Sequence, residues 1–237
     1  MYKTHMLCEK DPYQSQRDAS VLFSDDEGIV LDETVFYAAG GGQPGDSGLF
    51  QLPNGQEVHI VDTRRVQRDP PLVLHVPHAK VRLAPGTQIT TRIDWQRRYR
   101  HMRMHTCLHL LCSIVNAPVT GCAISDDKGR LDFDLPEPTL GKEDVTEQLN
   151  ALINRGLAVI TRTISADDLV ENHHFIKSQS LRPPIRDGRV RIVEIEGVDI
   201  QPCGGTHVLN TSEIGEVECR KIEKKSRYNR RVVIGFV

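Results

Sequence analysis

Asp94-Trp95-Gln96-Arg97-Arg98-Tyr99-Arg100-His101-Met102-Arg103-Met104-His105-Thr106-Cys107-Leu108-His109-Leu110-Leu111-Cys112-Ser113-Ile114-Val115 marks the point where the texture of the sequence changes. Asp94 suits a helix N-cap, no Pro or Gly interrupts the run, and Asn116-Ala117-Pro118 stops it, so a helix is predicted over 95–115. Before it, short apolar runs at 20–23, 28–31, 57–61, 72–76 and 87–93 are separated by Gly, Pro, Asn and Asp. That spacing reads as a helix-poor β domain, a small barrel or sandwich.

After the helix, the sequence mixes both periods. Residues 130–135 alternate polar and apolar side chains like a half-buried strand. A second helix is predicted over 143–160, with Val145, Leu149, Leu152 and Ile153 on one side and Gly156 as its weak point. Beyond Pro183-Pro184, strand patterns return at 189–195, 216–222 and 231–236. The expected fold class is α+β: a small N-terminal β-barrel-like domain over 1–93, then helices packed on an antiparallel sheet over 94–237.

Composition narrows the function classes. Thirty Lys and Arg against 32 Asp and Glu leave a formal net charge of −2, so no bulk field draws the chain to nucleic acid. The start of the sequence lacks a secretory pattern, and no apolar stretch approaches the roughly 20 residues needed to cross a bilayer. A cytoplasmic location is therefore expected. There the six cysteines (Cys8, Cys107, Cys112, Cys122, Cys203 and Cys219) are expected as thiols rather than a disulfide framework.

The chemistry-bearing residues fall into two groups. His105 and His109 are one helical turn apart on one face, as two imidazoles must be to reach a single ion. Far downstream, Pro202-Cys203-Gly204-Gly205-Thr206-His207 offers a thiol and an imidazole around two glycines, whose backbone bends easily. Together they supply the four N/S ligands that suit one zinc ion. His101, one turn before His105, and Cys112, near the line of His109, are rivals that spacing does not exclude.

His105-Thr106-Cys107-Leu108-His109-Leu110-Leu111 followed by Cys203-Gly204-Gly205-Thr206-His207 resembles the editing domain of alanyl-tRNA synthetase. With Gly40-Gly41-Gly42-Gln43-Pro44 and Gly45-Asp46-Ser47-Gly48 upstream, the resemblance is to the freestanding medium-sized AlaX trans-editing proteins and covers nearly the whole chain. It selects His105 and His109 over their rivals. At the position of the synthetase glutamine, in the strand after the metal helix, the sequence reads Val119-Thr120-Gly121-Cys122-Ala123-Ile124, which favours the freestanding type.

The resemblance implies hydrolysis of the ester in misacylated tRNA(Ala), chiefly seryl-tRNA(Ala), at one Zn2+ per chain, with the tRNA acceptor end as partner. Serine exceeds alanine by one hydroxyl, which an alanine pocket rejects poorly, so a second hydrolytic site is needed. No carboxylate stands out as a base. Asp132 and Asp134 read as a solvated strand face, and a water at the metal is the expected reagent. Thr106, beside the ligands, is a candidate contact for the serine hydroxyl. The glycine loop at Gly41 and Gly42, on physics a tight hairpin connection, is by resemblance expected to approach the substrate.

RNA contacts are expected from Arg100 and Arg103, in one cluster with Arg97 and Arg98, and from Lys224, Lys225 and Arg230 on the last hairpin. Two other functions fit parts of the pattern. One is editing of another tRNA by a relative of the threonyl-type domain. The other is a non-catalytic zinc-stabilised RNA-binding module.

Overall fold

A computed structural model describes residues 3–66, 72–136, 141–172 and 185–237. Pro183 and Pro184, read above as a break, lie outside these residues. Contacts within the chain define two compact units, Met1–Tyr99 and Arg100–Val237.

In the first unit β1 (His5–Met6) pairs in parallel with β4 (Glu33–Thr34). Among the described residues β2 (Gln16–Ser24), β3 (Ile29–Leu31), β5 (Gly48–Gln51), β6 (Glu57–Val66), β7 (Leu72–Pro77) and β8 (Gln88–Ile93) close a barrel in the order β2-β3-β7-β6-β5-β8. Closure removes the sheet edges that a small β domain would otherwise expose. Ala19, Val21, Ile29, Leu31, Phe36, Phe50, Val58, Ile60, Ile89 and Ile93 fill its interior. Strand β5 leaves no mark in the sequence pattern, because its four residues (Gly-Leu-Phe-Gln) are too few to show a period.

The glycine loop is a tight turn. Gly40 and Gln43 exchange both backbone hydrogen bonds, at 3.1 and 3.0 Å, and Gly41 and Gly42 adopt φ +60° and +85°. Two successive positive φ values define a type I′ turn, which only glycine, asparagine and aspartate enter readily.

One titratable group is walled inside the barrel. His75 is fully buried, with the rings of Phe36 and Phe50 each 5.2 Å away edge-on. Its Nδ1–H donates to the Ile29 carbonyl at 3.0 Å, leaving Nε2 to accept from the Thr34 hydroxyl at 2.8 Å. Burial disfavours the charged ring and lowers its pKa from 6.5 to about 4, against the opposing hydrogen bond to Ile29. A group depressed in the folded state binds protons preferentially in the unfolded one. Its contribution is present above pH 6.5 and is lost as the pH falls towards 4. Urea unfolding is expected to show stability falling across that window by roughly 1.4 kcal/mol per pH unit. His75→Gln should flatten this slope. An unchanged slope would assign the acid sensitivity elsewhere.

The second unit carries α1 (Trp95–Ile114) over most of its length. β9 (Val119–Ile124), β10 (Lys128–Asp134), β15 (Val217–Lys224) and β16 (Asn229–Phe236) form an antiparallel sheet ordered β15-β16-β10-β9. α1 lies so close to it that a Cβ on Gly129 would meet Met104 at 2.8 Å. α2 (Lys142–Asn154) buries Val145, Leu149 and Ile153. A second antiparallel sheet holds β11 (Val159–Ser165), β12 (Ile185–Arg186), β13 (Arg189–Ile195) and β14 (Asp199–Pro202), with α3 (Ala166–Glu171) packing Leu169 against Val190 and Ile192. The α+β expectation is met, with a barrel first and helices on antiparallel sheets after it.

The second helix is shorter than expected. It ends at Asn154 instead of continuing to residue 160, because Gly156 takes φ +62° and closes the last turn on the Ile153 carbonyl at 3.1 Å. Val159 then begins a strand paired with Ile195. Apolar residues on both sides of Gly156 kept a helical spacing that the backbone does not follow.

Candidate metal centre

α1 positions two imidazoles and the turn after β14 positions a thiol and a third imidazole. Arg97 N–H donates to the Asp94 side chain at 3.1 Å, the capping bond expected from the sequence. Every residue from Met104 to Leu111 is buried, His105 and His109 among them. β14 pairs with β13, and Cys203 N–H extends the ladder onto the Arg191 carbonyl at 3.1 Å. That register delivers the Cys-Gly-Gly-Thr-His turn to the helix.

His105, His109, Cys203 and His207 meet there, with one candidate ligand atom from each lying within 4.8 Å of all the others. Cys203 Sγ is 3.5 Å from His105 Nε2 and 3.3 Å from His207 Nε2. Ligands at about 2.0–2.3 Å from a tetrahedral ion stand roughly 3.3–3.7 Å apart. Cys203 Sγ thus already stands from two of the imidazoles at the spacing that a single tetrahedral ion requires. Three imidazoles and a thiol are also the donor set that suits zinc over the oxygen-seeking cations.

Two of the four donors already hold the charge state that a metal ligand needs. Burial opposes ionisation of the Cys203 thiol, but His105 and His207 beside it outweigh burial and hold it well below its usual range. Burial and the neighbouring His105 push the His207 pKa well down, keeping that ring neutral as a ligand must be. The other nearby thiols differ. Burial pushes Cys107 and Cys122 each up to about 12, so both stay protonated.

The outer nitrogens are held by partners that spacing could not reveal. His109 Nδ1–H donates to Asp199 Oδ2 at 3.1 Å, and Gln201 Nε2 donates to the same oxygen at 2.7 Å. Burial would lower the His109 pKa, but the bond to Asp199 raises it. His207 Nδ1–H donates to Thr106 Oγ1 at 3.1 Å, while the Thr106 hydroxyl donates to the Met102 carbonyl at 3.0 Å. Both arrangements fix the ring tautomer that turns Nε2 towards the other donors. Asp199→Ala is expected to weaken metal binding about 10–100-fold while the chain stays folded, read by competition with a chromophoric chelator.

Several expectations need correction. Thr106 is fully buried, and its hydroxyl is taken up by Met102, His207 and Val208 N–H (3.3 Å). It is therefore placed to orient a ligand, not to meet a serine hydroxyl. Arg230 is buried, donating to the carbonyls of Ser226, Asn229 and Pro136, and so is not displayed to a phosphate. Arg103 is half-buried, donating to the Ile214 carbonyl at 2.8 Å and lying over the Phe236 ring. Arg98 of the same basic cluster is enclosed in the first unit beside Asp46. Arg100, Lys224 and Lys225 are exposed, Lys225 with an ion pair to Glu223 at 3.1 Å.

The rivals are also placed. His101 is buried and donates from Nε2 to Asp126 at 2.8 Å, and Cys112 is buried; neither joins the four-donor group. Asp132 is held by Arg130 and Arg231 and is half-buried rather than free on a solvated face. Asp199 was missed because an acid between strand-forming residues carries no spacing signal relative to a helix 90 residues away.

Comparison with known proteins agrees with this architecture. The family described as "Threonyl and Alanyl tRNA synthetase second additional domain" matches residues 190–233, which include Cys203 and His207. The family "tRNA synthetases class II (A)" matches residues 4–97, the barrel. The barrel and the segment that bears Cys203 and His207 are thus each similar to a part of tRNA synthetases. The Alanyl-tRNA editing protein AlaX-M of Methanosarcina barkeri is 35% identical over 241 residues, covering 99% of both chains. That of Saccharolobus solfataricus is 30% identical over 97% of both. The Alanine–tRNA ligase of Ignicoccus hospitalis is 33% identical over 93% of this chain but only 25% of its own length. The chain belongs to the AlaX-M family of alanyl-tRNA editing proteins.

Proposed function

We propose that the chain is a cytoplasmic trans-editing hydrolase that deacylates misacylated tRNA(Ala), chiefly seryl-tRNA(Ala), with one zinc ion per chain. The observation that carries this is the group of three buried histidines and the half-buried Cys203 in a chain colinear with proteins named for alanyl-tRNA editing. His105, His109, Cys203 and His207 hold the ion. When bound, zinc supplies Lewis-acid polarisation for an ester carbonyl. Asp199 and Thr106 lock two of the imidazoles, so that the ligand frame is organised before substrate arrives. Arg100, Lys224 and Lys225 are the exposed cations assigned to the acceptor end of tRNA. The turn at Gly41 and Gly42 is assigned to the substrate side by family likeness. A glycine-turn β domain is assigned to 1–93 and the editing domain to 94–237.

One observation favours a second reading. Four protein donors fill a tetrahedral shell, as in structural sites, and this suits a zinc-stabilised RNA-binding module without catalysis. Single-turnover incubation with seryl-, alanyl- and threonyl-tRNA separates the two. Editing predicts rapid loss of the seryl ester from tRNA(Ala), with alanyl-tRNA(Ala) spared. Binding without ester loss would leave only the module, and preference for threonyl esters would move the chain to another tRNA.

A further inference from the structure

Arg191 lies on β13, half-buried on the strand face shared by the fully buried Val193 and Ile195. Its side chain instead reaches the ligand turn. One terminal nitrogen, Nη1, donates to the Cys203 carbonyl at 2.8 Å and to the Gly205 carbonyl at 2.8 Å. The other, Nη2, lies 3.4 Å from the Thr161 hydroxyl on the neighbouring strand β11. Nε is buried with no hydrogen-bond partner. The strand thus tolerates an unsatisfied polar atom for the sake of contacts made at the far end of the side chain. Meanwhile the Arg191 carbonyl accepts from Cys203 N–H at 3.1 Å, so one residue grips the turn from both its main chain and its side chain.

The turn needs such a grip. Gly204 and Gly205 have no side chains to restrict them, and glycine loses the most backbone freedom on ordering. Between them they set where Cys203 Sγ stands relative to His207 Nε2, 3.3 Å away, and they place Gly205 N–H 3.4 Å from the same sulfur. A planar guanidinium with fixed donors holds two carbonyls in one orientation in a way that a single flexible ammonium does not.

We infer that Arg191 is a positioning residue of the metal centre, ordering the Cys203-Gly204-Gly205 turn so that the thiolate and His207 meet the ion together. This rests on the metal-site reading and not on the identity of the substrate. It acts through the turn and touches neither metal nor ester.

The test uses the full chain with zinc alone as the probe. Arg191→Ala is expected to bind zinc about 10–100-fold more weakly in chelator competition, with far-UV circular dichroism unchanged. Guanidinium ion, added below denaturing concentrations, should recover part of that affinity, which a general loss of packing would not allow. If Arg191→Ala fails to fold, Arg191→Lys carries the test: it keeps charge and stem, and weakened zinc affinity in a folded chain supports the role. Wild-type affinity in folded Arg191→Ala, or in Arg191→Lys where the alanine variant does not fold, overturns it. A wild-type chain that binds zinc without deacylating seryl-tRNA(Ala) sinks the editing reading alone, since the affinity comparison is unaffected.

Discussion

Cys203→Ala and His207→Ala are each expected to remove the stoichiometric zinc and to slow seryl-tRNA(Ala) deacylation on the order of 10³-fold, about 4 kcal/mol of barrier. The donors reach one point from two separate elements, so losing either of these two leaves an ion with only the helix pair and one further ligand. Metal content by mass spectrometry and single-turnover rates measure the two effects. His101→Ala and Cys112→Ala should retain one zinc per chain, because both side chains stand outside the group. Folded protein stripped of metal that still cleaves the ester at the wild-type rate would end the case for a catalytic zinc.

Asp46→Ala is expected to destabilise the first unit by about 3–5 kcal/mol, the usual cost of leaving one partner of a buried ion pair alone. Arg98 and Asp46 are 0% and 1% exposed. Arg98 Nε lies 2.9 Å from Asp46 Oδ2, its Nη2 contacts the same carboxylate, and its remaining donors reach the carbonyls of Pro12 at 2.9 Å and Val35 at 2.7 Å. Asp46 also accepts from Tyr37 N–H at 2.7 Å. The pair ties the first turns of α1 to the segments around residues 12, 35 and 46 of its own unit. Trp95, the only tryptophan, lies one turn away and stacks on Tyr99 at 5.5 Å, so its fluorescence reports urea unfolding of this region. The double variant Asp46→Leu with Arg98→Met should recover much of the loss, since no uncompensated charge remains. A loss under 1 kcal/mol for Asp46→Ala would show that water reaches the pair.

Local pattern was enough for most elements. Asp94 and Pro118 bracket α1, alternation marks β10, and β13 falls on residues 189–195 as read. It failed where local preference and chain path disagree. Leu157, Val159 and Ile160 continue the helical spacing of α2, but Gly156 turns the backbone and pairing with β13 claims them as strand. Short strands such as Gly48–Gln51 and Asp199–Pro202 are set by their neighbours, since a few residues contain no usable period.

At the site, the sequence by itself determined the donors. The i, i+4 histidines and the Cys-Gly-Gly-Thr-His turn name one soft-ligand group, and the likeness of those motifs to alanyl-tRNA editing proteins names a family. Only the tertiary structure decided everything that acts on those donors. It turned Thr106 from a substrate contact into a support for His207, and withdrew Arg98 and Arg230 from the basic surface. It also brought Asp199 and Arg191 to the site. The physical reason is range. A helix places residues four apart by its own geometry, whereas a carboxylate behind an imidazole, or a guanidinium behind a glycine turn, is placed by the pairing of strands far apart in the chain.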